Sequence, residues 1–113
     1  MNRILYIGHP YTNNPEENVQ KVTDFLKMAQ LMYPHVTLVS PLHAFHFHQG
    51  LLPYEETMSH CMTLLSYCDT AVFPDYYEES EGCKAEIEFC KLTNKPYTIM
   101  SYSTKCIPGG ETK

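Results

Sequence analysis

A glutamate one turn inside a helix that opens on a Ser/Gly turn is the arrangement in this chain best suited to chemistry. In Ser80-Glu81-Gly82-Cys83-Lys84-Ala85-Glu86 the serine and glycine mark the turn, and Glu86 follows one helical turn later. Near the other end, Leu5-Tyr6-Ile7-Gly8-His9-Pro10-Tyr11 reads as a short strand running into a polar, proline-containing loop. Both are loops beyond the carboxyl end of a strand, where open α/β sheets bind ligands.

The two nearby glutamates of this helix differ in their neighbours. Glu88 has Lys84 four residues before it and Lys91 three after, which marks a solvated, charge-paired face. Glu86 shares its face with Gly82, Phe89 and Cys90, small or apolar neighbours that imply partial burial. Burial without partners would raise its pKa and suit acid/base work, whereas attack on a sugar carbon needs it ionised and held by hydrogen bonds. The alternative is an ordinary first-turn acid favoured by the helix dipole.

Elements to position these residues follow from the periodicity. Arg3 to Gly8 is a buried strand, and Asn14 offers an N-cap with Pro15 at the first helical position and Glu17 as the return partner of a capping box. Val19, Val22, Leu26, Ala29 and Tyr33 then recur at helical steps up to Pro34. Val36 to Ser40 is a second strand, Leu42 to Leu52 a His- and aromatic-rich loop, and Pro53 starts a second helix reaching Cys68. Asp69 to Phe73 is a third strand, Pro74 to Glu79 an acidic loop, Ser80 to Thr93 a third helix and Tyr97 to Tyr102 a fourth strand. This alternation predicts a single α/β domain over residues 1–102, a flavodoxin-like (Rossmann-like) parallel sheet of four to five strands, order 2-1-3-4, with helices on both faces. Residues 103–113 read as a polar C-terminal tail.

Composition narrows the partners. The chain has 113 residues, a net charge of -5 and no Lys/Arg cluster, which argues against nucleic acid and for a small ligand. No apolar run approaches a membrane span, and Met1 leads into a strand rather than a signal peptide, so a cytoplasmic protein is expected. Cys61, Cys68, Cys83 and Cys90 fall in pairs seven apart in helical patterns and, with Cys106, are expected as reduced thiols. His43, His46, His48 and His60 match no zinc-ligand spacing, which argues against a metal, and no other cofactor is expected; for His46 and His48, packing and lining a pocket mouth are equally open readings. Asp69 is placed to cap backbone amides, and Tyr76 or Tyr77 to close over a ligand. The helix from Pro53 to Cys68 carries more apolar surface than one buried stripe requires, which implies a homo-oligomer, a dimer or tetramer, with that helix at the interface.

Tyr6-Ile7-Gly8-His9-Pro10-Tyr11, Glu17-Asn18-Val19, Ser40-Pro41-Leu42-His43-Ala44-Phe45, Cys68-Asp69 and Glu79-Ser80-Glu81-Gly82-Cys83-Lys84-Ala85-Glu86-Ile87-Glu88 occur in that order over Arg3 to Ile99. Together they resemble the uncharacterised bacterial and phage branch of the nucleoside 2-deoxyribosyltransferase-like superfamily, which also includes the 2'-deoxynucleoside 5'-phosphate N-hydrolases. The resemblance implies cleavage or transfer of the N-glycosidic bond of a small nucleoside or nucleotide. It casts Glu86 as the nucleophilic carboxylate, Tyr6 as the tyrosine that orients nucleophile or sugar, and Ser80 as a phosphate-contacting serine. Gly8, His9, Pro10, Tyr11, His46, His48 and Gly82 are the remaining expected substrate-binding positions. Two positions depart from the pattern: His9 stands where glycine is frequent, and Cys61 where related enzymes carry an aspartate. The sequence also reads as stopping soon after the fourth strand, without the extension by which transferases complete a neighbour's site. A noncatalytic nucleotide-binding protein that keeps the fold is the other expectation.

Overall fold

The computed structural model describes residues 3–10 and 14–102. Four parallel strands form one sheet: β1 (Ile4–Ile7), β2 (Thr37–Val39), β3 (Thr70–Pro74) and β4 (Tyr97–Met100), in the order β2-β1-β3-β4. This is the predicted 2-1-3-4 topology. The helices are α1 (Pro15–Met32), α2 (Pro41–Phe45), α3 (Tyr54–Ser66) and α4 (Glu81–Thr93), with 3-10 turns at His46–His48 and Tyr77–Glu79.

Strand alternation divides the core into two layers. Tyr6 and its cross-strand partner Ala71, together with Phe73, face Leu65 of α3 and Cys83, Ile87 and Cys90 of α4. Ile7 and its partner Val72 face the other way, onto Val22, Phe25 and Ala29 of α1 and Leu42 of α2. Central strands buried on both faces explain why β1 and the Ala71–Pro74 part of β3 are apolar at successive positions. Tyr102 closes the second layer, stacking on Phe25 at 4.2 Å and donating its hydroxyl to the carbonyls of Gly8 and Val72 at 2.7 and 2.9 Å. The four described cysteines are buried free thiols, and Asp69 accepts the Ile4 amide at 2.7 Å.

Two local expectations are corrected. Asn14 stands at the N-cap of α1 with a left-handed backbone (φ 52°, ψ 61°) and makes no side-chain cap, so the capping box with Glu17 does not form. A capping side chain needs an extended N-cap residue, whereas the following Pro15 disfavours the right-handed α region at Asn14, and asparagine tolerates the left-handed one. The segment from Leu42 onward is not a plain loop: Pro41–Phe45 is helical, and the Ser40 hydroxyl accepts the His43 amide at 3.3 Å. Five residues are too few for an apolar period to register. No helix among the described residues is long and apolar enough to cross a membrane.

Candidate functional site

The carboxyl ends of β1 and β3 and the start of α4 converge on Glu86. Its side chain is buried on the inner face of α4 beside Gly82, Cys83 and Cys90, while Glu88 is exposed. Lys84 pairs with Glu81 at 3.0 Å. The Tyr6 hydroxyl, also fully buried, donates to Glu86 Oε2 at 2.5 Å. Burial pushes the Glu86 carboxyl up to about 7, and the Tyr6 hydrogen bond opposes that rise. Burial and the charge of Glu86 push the Tyr6 phenol well above its ordinary value, so the shared proton belongs to the tyrosine. The thiols of Cys61 and Cys83 are pushed up to about 12 by burial and then by Glu86, and stay protonated.

Above Glu86 lies a pocket of about 190 Å³, smaller than the usual range for ligand sites. Glu86, Cys61, Ser80 and Gly82 form its polar end, and Phe45, Leu42, Leu52 and Met58 its apolar wall. His48 is buried in that wall, its Nδ1 paired with Thr57 Oγ1 at 2.9 Å and its ring edge-on to Phe47 and His60 at 4.7 and 5.2 Å. His46 is exposed at the mouth. The described lining contains no lysine or arginine, so an anionic ligand would be held by neutral donors.

His9 also lines the pocket, but as a fixed wall. The carbonyl of Pro10 can only accept, so His9 Nδ1 carries the proton and donates to it at 2.8 Å, leaving Nε2 to accept the Tyr76 hydroxyl at 2.5 Å. Burial lowers His9 to about 4, which keeps it neutral at physiological pH. Both ring nitrogens are therefore committed. Through this bond the Asp75 to Glu79 loop is tied to the end of β1.

These elements, from β1 to Ile99 in β4, coincide with the span of one family: a model described as a domain of unknown function (DUF4406) matches residues 3–99. The chain belongs to the DUF4406 family. No curated protein and no solved structure matches it.

In this DUF4406 chain the expected site residues separate into groups. Glu86, His9, His46, His48, Ser80 and Gly82 line one pocket, with Tyr6 directly beneath Glu86. Gly8 and Pro10 do not: Gly8 packs under the carboxylate, and Pro10 borders a separate polar cleft with Asn18, Lys21 and Tyr76. Tyr11 lies outside the described residues. Gly82 admits a side chain rather than only a ligand, because a Cβ there would stand 2.7 Å from the Tyr54 hydroxyl. Tyr54, Thr57 and Leu52 join the lining without having been singled out by spacing; Tyr54, for one, meets α4 through the long-range approach of its hydroxyl to Gly82. Among the described residues no group of three or more His, Cys, Asp or Glu side chains is arranged to hold a metal ion.

Proposed function

We propose that the protein cleaves or transfers the N-glycosidic bond of a small nucleoside, with a nucleoside 5'-monophosphate as the favoured substrate. The observation that carries this reading is the buried Tyr6–Glu86 pair at the floor of a pocket with an aromatic wall. Glu86, ionised, attacks the anomeric carbon; the carbon–nitrogen bond breaks, and the base leaves with its bonding electrons and takes a proton from solvent. Water or a second base then displaces the carboxylate from the glycosyl ester, the logic of a retaining glycosidase. Tyr6 holds the carboxylate in line and stabilises its charge. Phe45 and His48 give the base an apolar, stackable surface, while Ser80 stands at the start of α4. There the Ser80 oxygen accepts the Cys83 amide at 3.1 Å, leaving its own proton to donate to a phosphate.

Incubation with a panel of nucleoside monophosphates, scored for free base by chromatography, tests the reading. A second reading is favoured by Cys61, which lines the pocket where the resemblance places a carboxylate. It makes the protein a noncatalytic nucleotide binder, and tight binding without base release by any panel member would select it.

Two expected outcomes belong to this mechanism. Activity should rise with pH through about 7 as Glu86 ionises. Because the Tyr6 hydrogen bond favours the ionised form, Tyr6→Phe should move that midpoint upward by about one to two pH units, the equivalent of one hydrogen bond to a charged group. The variant is then most impaired near pH 6 and recovers toward pH 9; an unmoved midpoint would remove Tyr6 from control of the carboxylate. Ser80→Ala should cost about 1 kcal/mol of stability through the lost N-cap. It should also raise KM for a nucleoside monophosphate by about tenfold while leaving the unphosphorylated nucleoside little affected. Equal losses for both substrates would contradict the phosphate contact.

A further inference from the structure

Most of the polar side chains in and behind the pocket wall are committed to the protein. Tyr6 donates to Glu86, Tyr76 to His9, and Thr57 is paired with His48. Tyr54 differs. It is the first residue of α3, lines the pocket with Ser80, Gly82 and Glu86, and remains 45% exposed. No hydrogen bond joins its hydroxyl to another described residue. The phenol is nevertheless placed closely: its oxygen stands 2.7 Å from where a Cβ on Gly82 would be, and Met58 Sδ flanks the same spot at 3.4 Å. A glycine at 82 leaves that hydroxyl its place against the first turn of α4, where a Cβ would displace it.

We infer that Tyr54 is a substrate-binding residue whose hydroxyl donates to an oxygen on the sugar or phosphate half of the ligand, with Gly82 as the seat that positions it. This rests on the proposed reading, in which Glu86 meets the anomeric carbon. Gly82 lies one helical turn from Glu86, roughly 6 Å along the axis. A ligand with its anomeric carbon at Glu86 and its base against Phe45 and His48 therefore directs its remaining sugar oxygens toward Tyr54. The charge of Glu86 contributes, after burial, to raising the Tyr54 phenol above its ordinary value, which keeps it a proton donor.

Tyr54→Phe keeps the ring and removes only the hydroxyl that stands against Gly82. It should raise KM by about tenfold with kcat nearly unchanged. Gly82→Ala should produce a similar rise by displacing the phenol into solvent. Its melting temperature should not fall, because alanine is the better helix former and the displaced group is the mobile end of a half-exposed side chain. The double variant should be no worse than either single one, since both changes remove the same contact. Nucleoside and nucleoside 5'-monophosphate run in parallel locate the acceptor. A defect confined to the monophosphate assigns it to the phosphate, and a defect in both assigns it to a sugar hydroxyl; either supports the inference. Base release by the wild type with KM unchanged in Tyr54→Phe would overturn the inference and leave the N-glycosidase reading standing. Failure of the wild type to bind or cleave any nucleoside or monophosphate would overturn both.

Discussion

Glu86→Gln should abolish base release, by at least about a thousand-fold in kcat, while making the protein more stable at alkaline pH. The first effect follows from replacing the attacking carboxylate with an amide that cannot form a glycosyl ester. The second follows from the energetic cost of the site. The Glu86 carboxyl is raised from 4.5 to about 7 in the fold, so folding is unpenalised below the unfolded value, where the group is protonated in both states. As pH rises from 4.5 toward 7 the unfolded chain ionises and the folded one resists, so stability falls; above about 7 the loss is complete. A raised carboxyl of this size costs about 3 kcal/mol at pH 8, an order-of-magnitude figure. Glutamine escapes that cost, and its side-chain carbonyl still accepts from Tyr6. The variant should thus melt roughly 10 °C higher than wild type at pH 8, with the difference vanishing near pH 4. Glu88→Gln, on the exposed face of the same helix, should change neither activity nor melting. Activity retained in Glu86→Gln would remove Glu86 from the mechanism; equal melting at pH 8 would show that its burial carries no ionisation cost.

The two glutamates show what a sequence can disclose about such a site. Glu86 and Glu88 are distinguished by the company each keeps three and four residues away, and helical geometry converts that spacing into opposite faces. Strand order was legible from a comparable pattern: β1 and the Ala71–Pro74 part of β3 are apolar because both sheet faces are covered, and right-handed crossovers leave few other orders. What the sequence hid depends on contacts between distant residues. Tyr54 reads as one more apolar residue of α3 until Gly82, 28 positions on, is placed beneath its hydroxyl. His9 reads as a ligand-facing histidine until Pro10 and Tyr76 occupy both its nitrogens. Tyr102 reads as the end of a strand, yet its hydroxyl ties the β1 and β3 carboxyl ends together. Short elements were hidden for another reason: the helix Pro41–Phe45 announces itself only through Ser40 and Pro41, a cap and a first-turn residue without a period behind them.

Gly8 poses the same problem at the heart of the site, and its substitution should have the largest effect on stability. As a loop glycine it invites a role in ligand approach or in an unusual backbone angle. Neither holds: it does not line the pocket, and Gly50 is the glycine with a positive φ among the described residues. What excludes a side chain is Phe73, two of whose ring carbons would lie 2.4 Å from a Cβ at position 8, with Glu86 Oε1 at 3.4 Å. Phe73 is fully buried and cannot swing out as Tyr54 can. Gly8→Ala must therefore push the ring or the strand, and overpacking of this kind costs about 1–3 kcal/mol and occasionally more. We expect the upper end, because the displaced ring packs against Tyr6 and Tyr97 within a filled layer. Melting should fall by roughly 10 °C or more, and base release should fall with it, as the movement reaches the Tyr6–Glu86 hydrogen bond. Phe73→Val removes the offending ring carbons at the cost of a cavity. In the Gly8→Ala/Phe73→Val pair the alanine methyl should occupy part of that space, so the double variant should be clearly more stable than the sum of the single losses predicts. Strictly additive losses would mean that the glycine is required for some reason other than the approach of Phe73.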